Sequence, residues 1–364
     1  MAETPIGRMD HYRLLGDSGL RVSPLCLGTM TFGTEWGWGA DEATSRLIFD
    51  RYVEAGGNFL DTANFYTNGT SERMLGRFMA DQRDRFVLAT KYTLKLREGD
   101  PNAAGNARKC MFESVEGSLR RLGVDYIDLY WVHAYDLLTP IEEVMRGLDD
   151  LVRQGKVHYV AVSDFPAWKV AEANTLARFR GWSPFIATQV EYHLAKRDVE
   201  RDIAPMARDL RLGLLPWSPL GAGVLTGKYD QRDMEREQEL IRSGQAKPFD
   251  SDSRIVGLTE QKLQVAQTVR EIAEEIGRSP AQVALNWLLC QPGVASIILG
   301  ARKVEQLEDN LKCLEFTLDD DHLRRLDDVS AIDLGFPHTF LVGGMVGNFV
   351  TAGASIEGRP ETPR

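Results

Sequence analysis

The stretch Ile127-Asp128-Leu129-Tyr130-Trp131-Val132-His133 is a short, largely apolar run, and Val157-His158-Tyr159-Val160-Ala161-Val162-Ser163 is a second. Between them, residues 140–154 have the pattern of an amphipathic helix, opened by Thr139-Pro140 (a cap, then a proline in the first turn) and stopped by Gly155. Short runs rich in Val, Ile, Leu and Phe are what parallel strands need when both of their faces are buried. The segment therefore reads as strand, helix, strand, and the same rhythm extends along the chain in both directions.

Upstream, residues 24–28, 58–61 and 86–91 are predicted strands; downstream, 186–191, 212–217 and 296–299 bring the total to eight. Helices are predicted at 42–55, ending at Gly56-Gly57; at 71–80, with Ser71 and Glu72 at the cap; and at 109–122, stopping at Gly123. Further helices are expected at 166–179, 199–210, 259–276 (opened by Thr259), 280–289 (after Ser279) and 304–311. Eight strand-plus-helix units make an α/β chain of the (β/α)8 TIM-barrel kind. A doubly wound sheet alternates in the same way, but no G-x-G-x-x-G follows the first strand. Gly221-Ala222-Gly223 comes after the seventh strand and lacks the third glycine.

Ahead of the barrel, residues 12–15 and 20–22 flank Gly16-Asp17-Ser18-Gly19 and predict a short N-terminal β-hairpin. Residues 98–106 read as a loop, and the charged stretch 230–254 as either a mobile loop or a short solvated helix with loop flanks. Residues 334–364 show no clear period and read as a C-terminal tail lying over the barrel, so the expected organisation is one barrel domain, 1–333, followed by that tail.

Composition narrows the partners. The net charge of -10 and pI near 5.3 make the chain a poor match for nucleic acid or an anionic membrane face. Hydrophobic residues, 43 % of the chain, supply a large core without any apolar stretch of spanning length. The polar start lacks the pattern of a signal peptide, so a cytoplasmic location is expected. The four cysteines, Cys26, Cys110, Cys290 and Cys313, show no C-x-x-C spacing and read as buried thiols, with no metal site expected.

Function in such a barrel gathers at the C-terminal ends of the strands. Asp61, Lys91 and His133 each end a predicted strand, and Tyr66 lies in the loop after Asp61. Taken singly, each has an ordinary reading: a capping Asp, a packed aromatic, a rim charge, a hydrogen-bonded core histidine. Together on one rim they suit carbonyl reduction, which needs a proton as well as a hydride. A free tyrosine holds its proton too tightly for easy transfer, and a neighbouring cation such as Lys91 lowers that pKa. Asp61 would pair with Lys91, and His133 would donate to the substrate oxygen or tune Tyr66.

With these residues the chain resembles the aldo-keto reductases, over about residues 12 to 329. The likeness rests on Asp61-Thr62-Ala63-x-x-Tyr66, on Thr90-Lys91, and on the strand 128–133 that ends in His133. It extends to Gly28-Thr29-Met30-Thr31-Phe32-Gly33, Ser163-Asp164-Phe165, Gln189-Val190-Glu191-Tyr192 and Pro216-Trp217-Ser218-Pro219-Leu220. The resemblance implies Tyr66 as general acid, with Asp61, Lys91 and His133 completing a tetrad. It implies NADPH as cofactor, contacted by Gly28, Thr29 and Met30, with Ser163 and Gln189 on the carboxamide and Trp217 stacked on the nicotinamide ring. Ser218, Leu220, Gly221, Gly223 and Lys228 would line the pyrophosphate. Gly300, Arg302, Gln306, Asp309 and Asn310 would grip the adenosine phosphate, with Lys303 beside Arg302. Asp164 departs from the family, which often has Asn there, and an ionised Asp donates no side-chain hydrogen bond.

Trp36 and Trp38, set among glycines after the first strand, are expected to wall a pocket for a small-molecule carbonyl substrate, with Phe340 and Leu341 of the tail closing it. The same fold and residues also occur in potassium-channel β subunits, so a cofactor-sensing regulatory subunit is the second reading. Metal-assisted hydrolysis, with only His133 and His193 to serve it, ranks far behind.

Overall fold

The computed structural model describes residues 5–245, 257–342 and 344–354. Strands β1 (Arg13–Leu14) and β2 (Arg21–Val22) form the N-terminal hairpin. β3 (Leu25–Gly28), α1 (Glu42–Glu54), β4 (Phe59–Asp61), α2 (Thr70–Met79), β5 (Val87–Tyr92), α3 (Arg108–Leu122) and β6 (Ile127–Val132) follow. Then come α4 (Ile141–Arg153), β7 (Val157–Ser163), α5 (Ala167–Arg180), β8 (Phe185–Glu191), α6 (Ile203–Asp209) and β9 (Gly213–Trp217). Three helices, α7 (Gln231–Arg242), α8 (Glu260–Ile276) and α9 (Pro280–Leu289), precede β10 (Ile297–Gly300). The chain then runs through α10 (Val304–Leu311), α11 (Asp320–Ser330), α12 (His338–Val342) and α13 (Gly344–Thr351).

The eight long-range strands pair in parallel in the order β10-β3-β4-β5-β6-β7-β8-β9. A parallel bridge between Leu214 on β9 and Val294, just before β10, brings the two ends of the sheet together. The result is a (β/α)8 TIM barrel whose strands carry helices on the outside. The hairpin sits at the opposite end from the strand C-termini. Its Leu15 and Val22 pack with Phe59, Val87, Leu129, Trp131, Leu215 and Ile298 inside the barrel. Gly16 makes this possible: at φ 59° a Cβ there would lie 2.1 Å from the carbonyl oxygen of Ile186.

Strand parity organises the interior, because successive side chains point to opposite faces. The inward set is Phe59; Val87 and Ala89; Leu129 and Trp131; Ala161; Ala187; Leu215; and Ile298. Two residues further along, the same parity selects Asp61, Lys91, His133, Ser163, Gln189, Trp217 and Gly300. The outward residues Leu25, Leu27, Leu60 and Leu88 pack against helices in one layer, and Tyr130, Val132, Val160 and Val162 in another.

Helix ends follow the glycines: Gly123, Gly181 and Gly277 close α3, α5 and α8 in the left-handed conformation. The caps differ in two places from the sequence reading. Ser71 caps nothing; it lies inside α2, fully buried, bonded to Thr29 and Thr62, and the N-terminal position is taken by Gly69. Thr139 donates to Asp136 at 2.6 Å, and α4 starts after Pro140 with no side-chain cap.

Within the charged stretch 230–254, α7 is a helix with a capping box made by Asp230 and Asp233. Met234 on it is buried against Val224, Leu258 and Ala266, so the helix is only partly solvated. Residues 246–254 of that stretch lie outside the described residues, as do 355–364 of the tail. The described part of the tail is helical, in α12 and α13, where the sequence shows no clear period. It is tied to the start of α6: Arg201 donates to the carbonyl of Asp333 and His338 pairs with Asp202 at 3.2 Å.

Candidate active site

The loop between β4 and α2 carries Tyr66 at the start of a tight turn. Thr67 and Asn68 follow it with positive φ of 45° and 54°, a conformation that costs a β-branched residue energy and that the surrounding structure must enforce. Thr67 is held there by its hydroxyl, which donates to the carbonyl of Phe32 at 2.7 Å.

Lys91 reaches from the last inward position of β5 toward this loop. Its ammonium donates to the carboxylate of Asp61, to the carbonyl of Thr62 at 3.0 Å and to the hydroxyl of Tyr66 at 3.2 Å. Lys91 is wholly buried, Asp61 is 2 % exposed and Tyr66 9 %. The free oxygen of Asp61 accepts from the amide of Gln189 at 3.1 Å, which the sequence reading assigned to the cofactor only. His133 stands edge-on to Tyr66, ring centroids 5.8 Å apart at 81°. Lys91 on β5 and His133 just after β6 thus meet the phenol directly, while Asp61 on β4, itself held by Gln189 on β8, keeps Lys91 in place.

The electrostatics amend one expectation. Burial pushes the Tyr66 phenol above its ordinary value; Lys91 pulls it down without overcoming burial, and Asp61 pushes it up. The cation alone would lower the phenol, but desolvation outweighs it. In the structure Tyr66 keeps its proton, and Lys91 stands ready to stabilise the phenolate once that proton leaves. Burial opposes charge on Lys91 too, but Asp61 and Tyr66 outweigh it and hold the ammonium above its usual range. Burial and the nearby Lys91 push His133 well below the usual histidine value, so its imidazole is neutral. A neutral imidazole donates from one nitrogen and accepts at the other.

An aromatic wall flanks the phenol. Trp36 lies edge-on to Tyr66, at 6.5 Å and 83°, and 5.4 Å from Phe65, with Trp38 at 5.8 Å behind it. Phe65 carries no signal of its own in the sequence; only the turn brings it to Trp36. Phe340 is 55 % exposed, and among the described residues its ring neighbour is Phe336 at 6.3 Å. The structure does not bring it to this wall.

On the far side of the mouth, Ser163 on β7 is in register with Gln189 on β8, and Glu191 with Trp217 on β9. Asp164, beyond β7, accepts from Ser163 at 3.2 Å and from the Trp217 indole at 3.1 Å. Past β9, Ser218, Gly221, Ala222 and Gly223 all have positive φ, coiling the chain tightly. The missing side chains at 221 and 223 let the His193 ring and the Lys228 ammonium close on this backbone; a Cβ on Gly223 would lie 2.7 Å from Lys228 Nζ. Leu220 is half-buried beside them.

Thr29, after β3, is buried and donates to the carbonyl of Asp61 at 3.0 Å; Gly28 is in register with Gly300, and Met30 is half-buried. Between β10 and α10, Arg302 and Lys303 are exposed and carry no ion pair among the described residues. Gln306 accepts from the Arg302 backbone N–H at 2.9 Å, and Asn310 is buried. Asp309 turns toward α9, accepting from Ser279 at 2.7 Å and Gln282 at 2.6 Å. Unpaired cations on an acidic chain, a third cation over a glycine turn and a half-exposed indole are the right chemistry for a phosphorylated, planar cofactor.

Among the described residues no helix is long and apolar enough to cross a membrane, and no group of His, Cys, Asp and Glu is placed to hold a metal ion.

Comparison with known proteins adds to this geometry. Residues 24–331 match the model of the aldo/keto reductase family. A norsolorinic acid reductase of Aspergillus flavus is 38 % identical over 352 residues, covering 93 % of this chain and 86 % of the relative. A norsolorinic acid reductase of Emericella nidulans is 40 % identical, covering 93 % and 87 %. An NADP(+) aryl-alcohol dehydrogenase of Phanerodontia chrysosporium is 39 % identical, covering 95 % and 92 %.

Proposed function

The chain belongs to the aldo/keto reductase family, and from that premise we propose that it is an NADPH-dependent oxidoreductase that reduces an aromatic aldehyde or ketone to the alcohol, with Tyr66 giving the proton. The observation that carries the reading is the Tyr66 hydroxyl, 3.2 Å from a buried ammonium that is itself paired with Asp61.

When bound, the nicotinamide supplies the hydride. The residues of the chain manage the proton and the positions. Tyr66 binds the carbonyl oxygen through its retained proton and passes that proton over as negative charge grows on the oxygen. Lys91, kept charged by Asp61, stabilises the phenolate that results. His133, neutral, offers a second hydrogen bond beside the phenol. Trp36, Trp38 and Phe65 give an aromatic substrate a surface to lie against, which agrees with the aryl alcohol in one relative's name. For the cofactor, Ser163 and Gln189 would hold the carboxamide and Trp217 the ring. Ser218, Leu220, Gly221, Gly223 and Lys228 would hold the pyrophosphate, and Arg302, Lys303, Gln306 and Asn310 the adenosine 2′-phosphate.

The test is NADPH consumption over a panel of aromatic and aliphatic aldehydes and ketones, run beside Tyr66→Phe. Turnover on aromatic members, lost by about 10² or more in Tyr66→Phe with NADPH binding retained, is the expected result. NADPH binding with no turnover on any member would favour a cofactor-sensing subunit, and absence of NADPH binding would overturn the reading.

A further inference from the structure

We propose that Asp164 sets the redox preference of this site: its carboxylate favours the cationic, oxidised nicotinamide over the neutral, reduced one, while holding Trp217 as the face on which that ring rests. The proposal rests on the reductase reading above.

The backbone at Asp164 has a φ of 51°, left-handed and unfavourable for most side chains but open to Asp. Its N–H donates to the carbonyl of Gln189 at 3.1 Å, which locks the turn onto the neighbouring strand. In that pose both carboxylate oxygens are engaged, one by Ser163 Oγ and the other by Trp217 Nε1. Both donors occupy the last inward positions of their strands, so the carboxylate lies on the rim that also holds Tyr66 and Lys91.

The charge balance of the rim singles this group out. The negative charge of Asp61 is matched by Lys91, and that of Glu191 by Lys196. Asp164 has no ion pair among the described residues; its partners are a hydroxyl and an indole. Asp164 is exposed to solvent at the mouth of the barrel; a ring lying against Trp217 would displace that water, and an unmatched negative charge so covered acts strongly on a charge placed beside it. A substrate carbonyl bonded to Tyr66 must meet the hydride-bearing carbon within van der Waals distance, which places the nicotinamide on this rim. Oxidised, that ring carries a positive charge; reduced, it carries none. An Asn at the same place would accept one of the two hydrogen bonds but would not distinguish the two forms by charge.

The experiment compares dissociation constants of the full chain for NADP+ and for NADPH, measured by calorimetric titration, in the wild type and in Asp164→Asn. The variant should bind NADP+ more weakly relative to NADPH, the ratio of the two constants moving by roughly ten-fold. Weakening of both forms by the same factor would assign Asp164 a purely structural role and overturn the proposal.

A second measurement needs no variant. In the wild type the ratio Kd(NADP+)/Kd(NADPH) should rise as the pH is lowered and Asp164, whose carboxyl desolvation holds above the ordinary carboxylate value, takes up a proton. The cofactor's phosphates are common to both forms and cancel in the ratio. Of the charged groups facing Asp164, Glu191 is held down to about 2 by His193 and Lys196, and Lys91 stays charged against Asp61. Asp61 and Tyr66 are shared with Asp164→Asn, whose ratio should stay flat. A wild-type ratio that does not change with pH would count against the charge effect. Failure of the wild type to bind either form would overturn the reductase reading itself.

Discussion

Gln189 on β8 donates to Asp61 on β4 at 3.1 Å, across the mouth of the barrel and 128 residues away in sequence. The bond fixes the carboxylate from the side opposite Lys91, so the acid that orients the ammonium is itself oriented. Gln189→Leu removes the donor and leaves a buried carboxylate oxygen unpaired, which should cost about 1–3 kcal/mol of stability. Urea unfolding at neutral pH measures this. An unchanged midpoint with weaker cofactor binding would mean that Gln189 serves the cofactor alone.

Lys91 and Asp61 form a buried pair, and breaking it from one side strands a charge. Lys91→Met should cost about 3–5 kcal/mol, and Asp61→Asn in the same chain should recover part of that loss. Both variants should lack reductase activity. Thermal melts of the single and double variants complete the cycle, and strictly additive losses would show the pair to be uncoupled.

His133 gives a pH dependence with a definite sign. Burial and Lys91 hold its native pKa well below the ordinary value near 6.5 that it regains on unfolding. Between those two values the unfolded state binds one more proton than the native state, so stability rises with pH. His133 therefore costs nothing above about pH 6.5, and below it native stability falls by up to about 1.4 kcal/mol per unit. Unfolding free energies between about pH 5 and pH 8 should show a shallower acid slope in His133→Asn than in the wild type. An equal slope would mean that His133 titrates normally in the native state.

Arg302 is exposed, just ahead of α10, with no ion pair among the described residues. If it grips the 2′-phosphate, Arg302→Ala should raise KM for NADPH by about ten-fold while leaving KM for NADH and kcat nearly unchanged. Steady-state kinetics with both cofactors decides this, and a matched rise in both constants would move Arg302 away from that phosphate.

Much of this was legible because parallel barrel strands advertise themselves locally. Runs such as 127–133 and 157–163 must be apolar on both faces, and the glycines after α3, α5 and α8 mark stops that side chains resist. The helices left unread are those with weak local signals. In α11 the buried residues are only Leu326 and Ser330, so its apolar stripe is thin, though Asp319 does cap it by accepting from His322 N–H at 2.8 Å. α12 and α13 are short and flanked by Gly and Pro. Ser71 shows the limit of a cap rule: a residue suited to a helix start was needed instead for a buried network with Thr29 and Thr62.

By itself the sequence determined which residues stand at the ends of the strands and what chemistry they have: an acid at 61, a phenol at 66, an amine at 91 and an imidazole at 133. Only the tertiary structure decided which groups meet and what they then are. The bond of Gln189 to Asp61, the edge of Trp36 on Tyr66 and the hold of Asp164 on Trp217 all join separate strands or loops. Burial, which keeps the proton on Tyr66 and removes it from His133, is likewise a property of the closed barrel. Charge is local to a residue, but its cost depends on how much water the rest of the fold excludes.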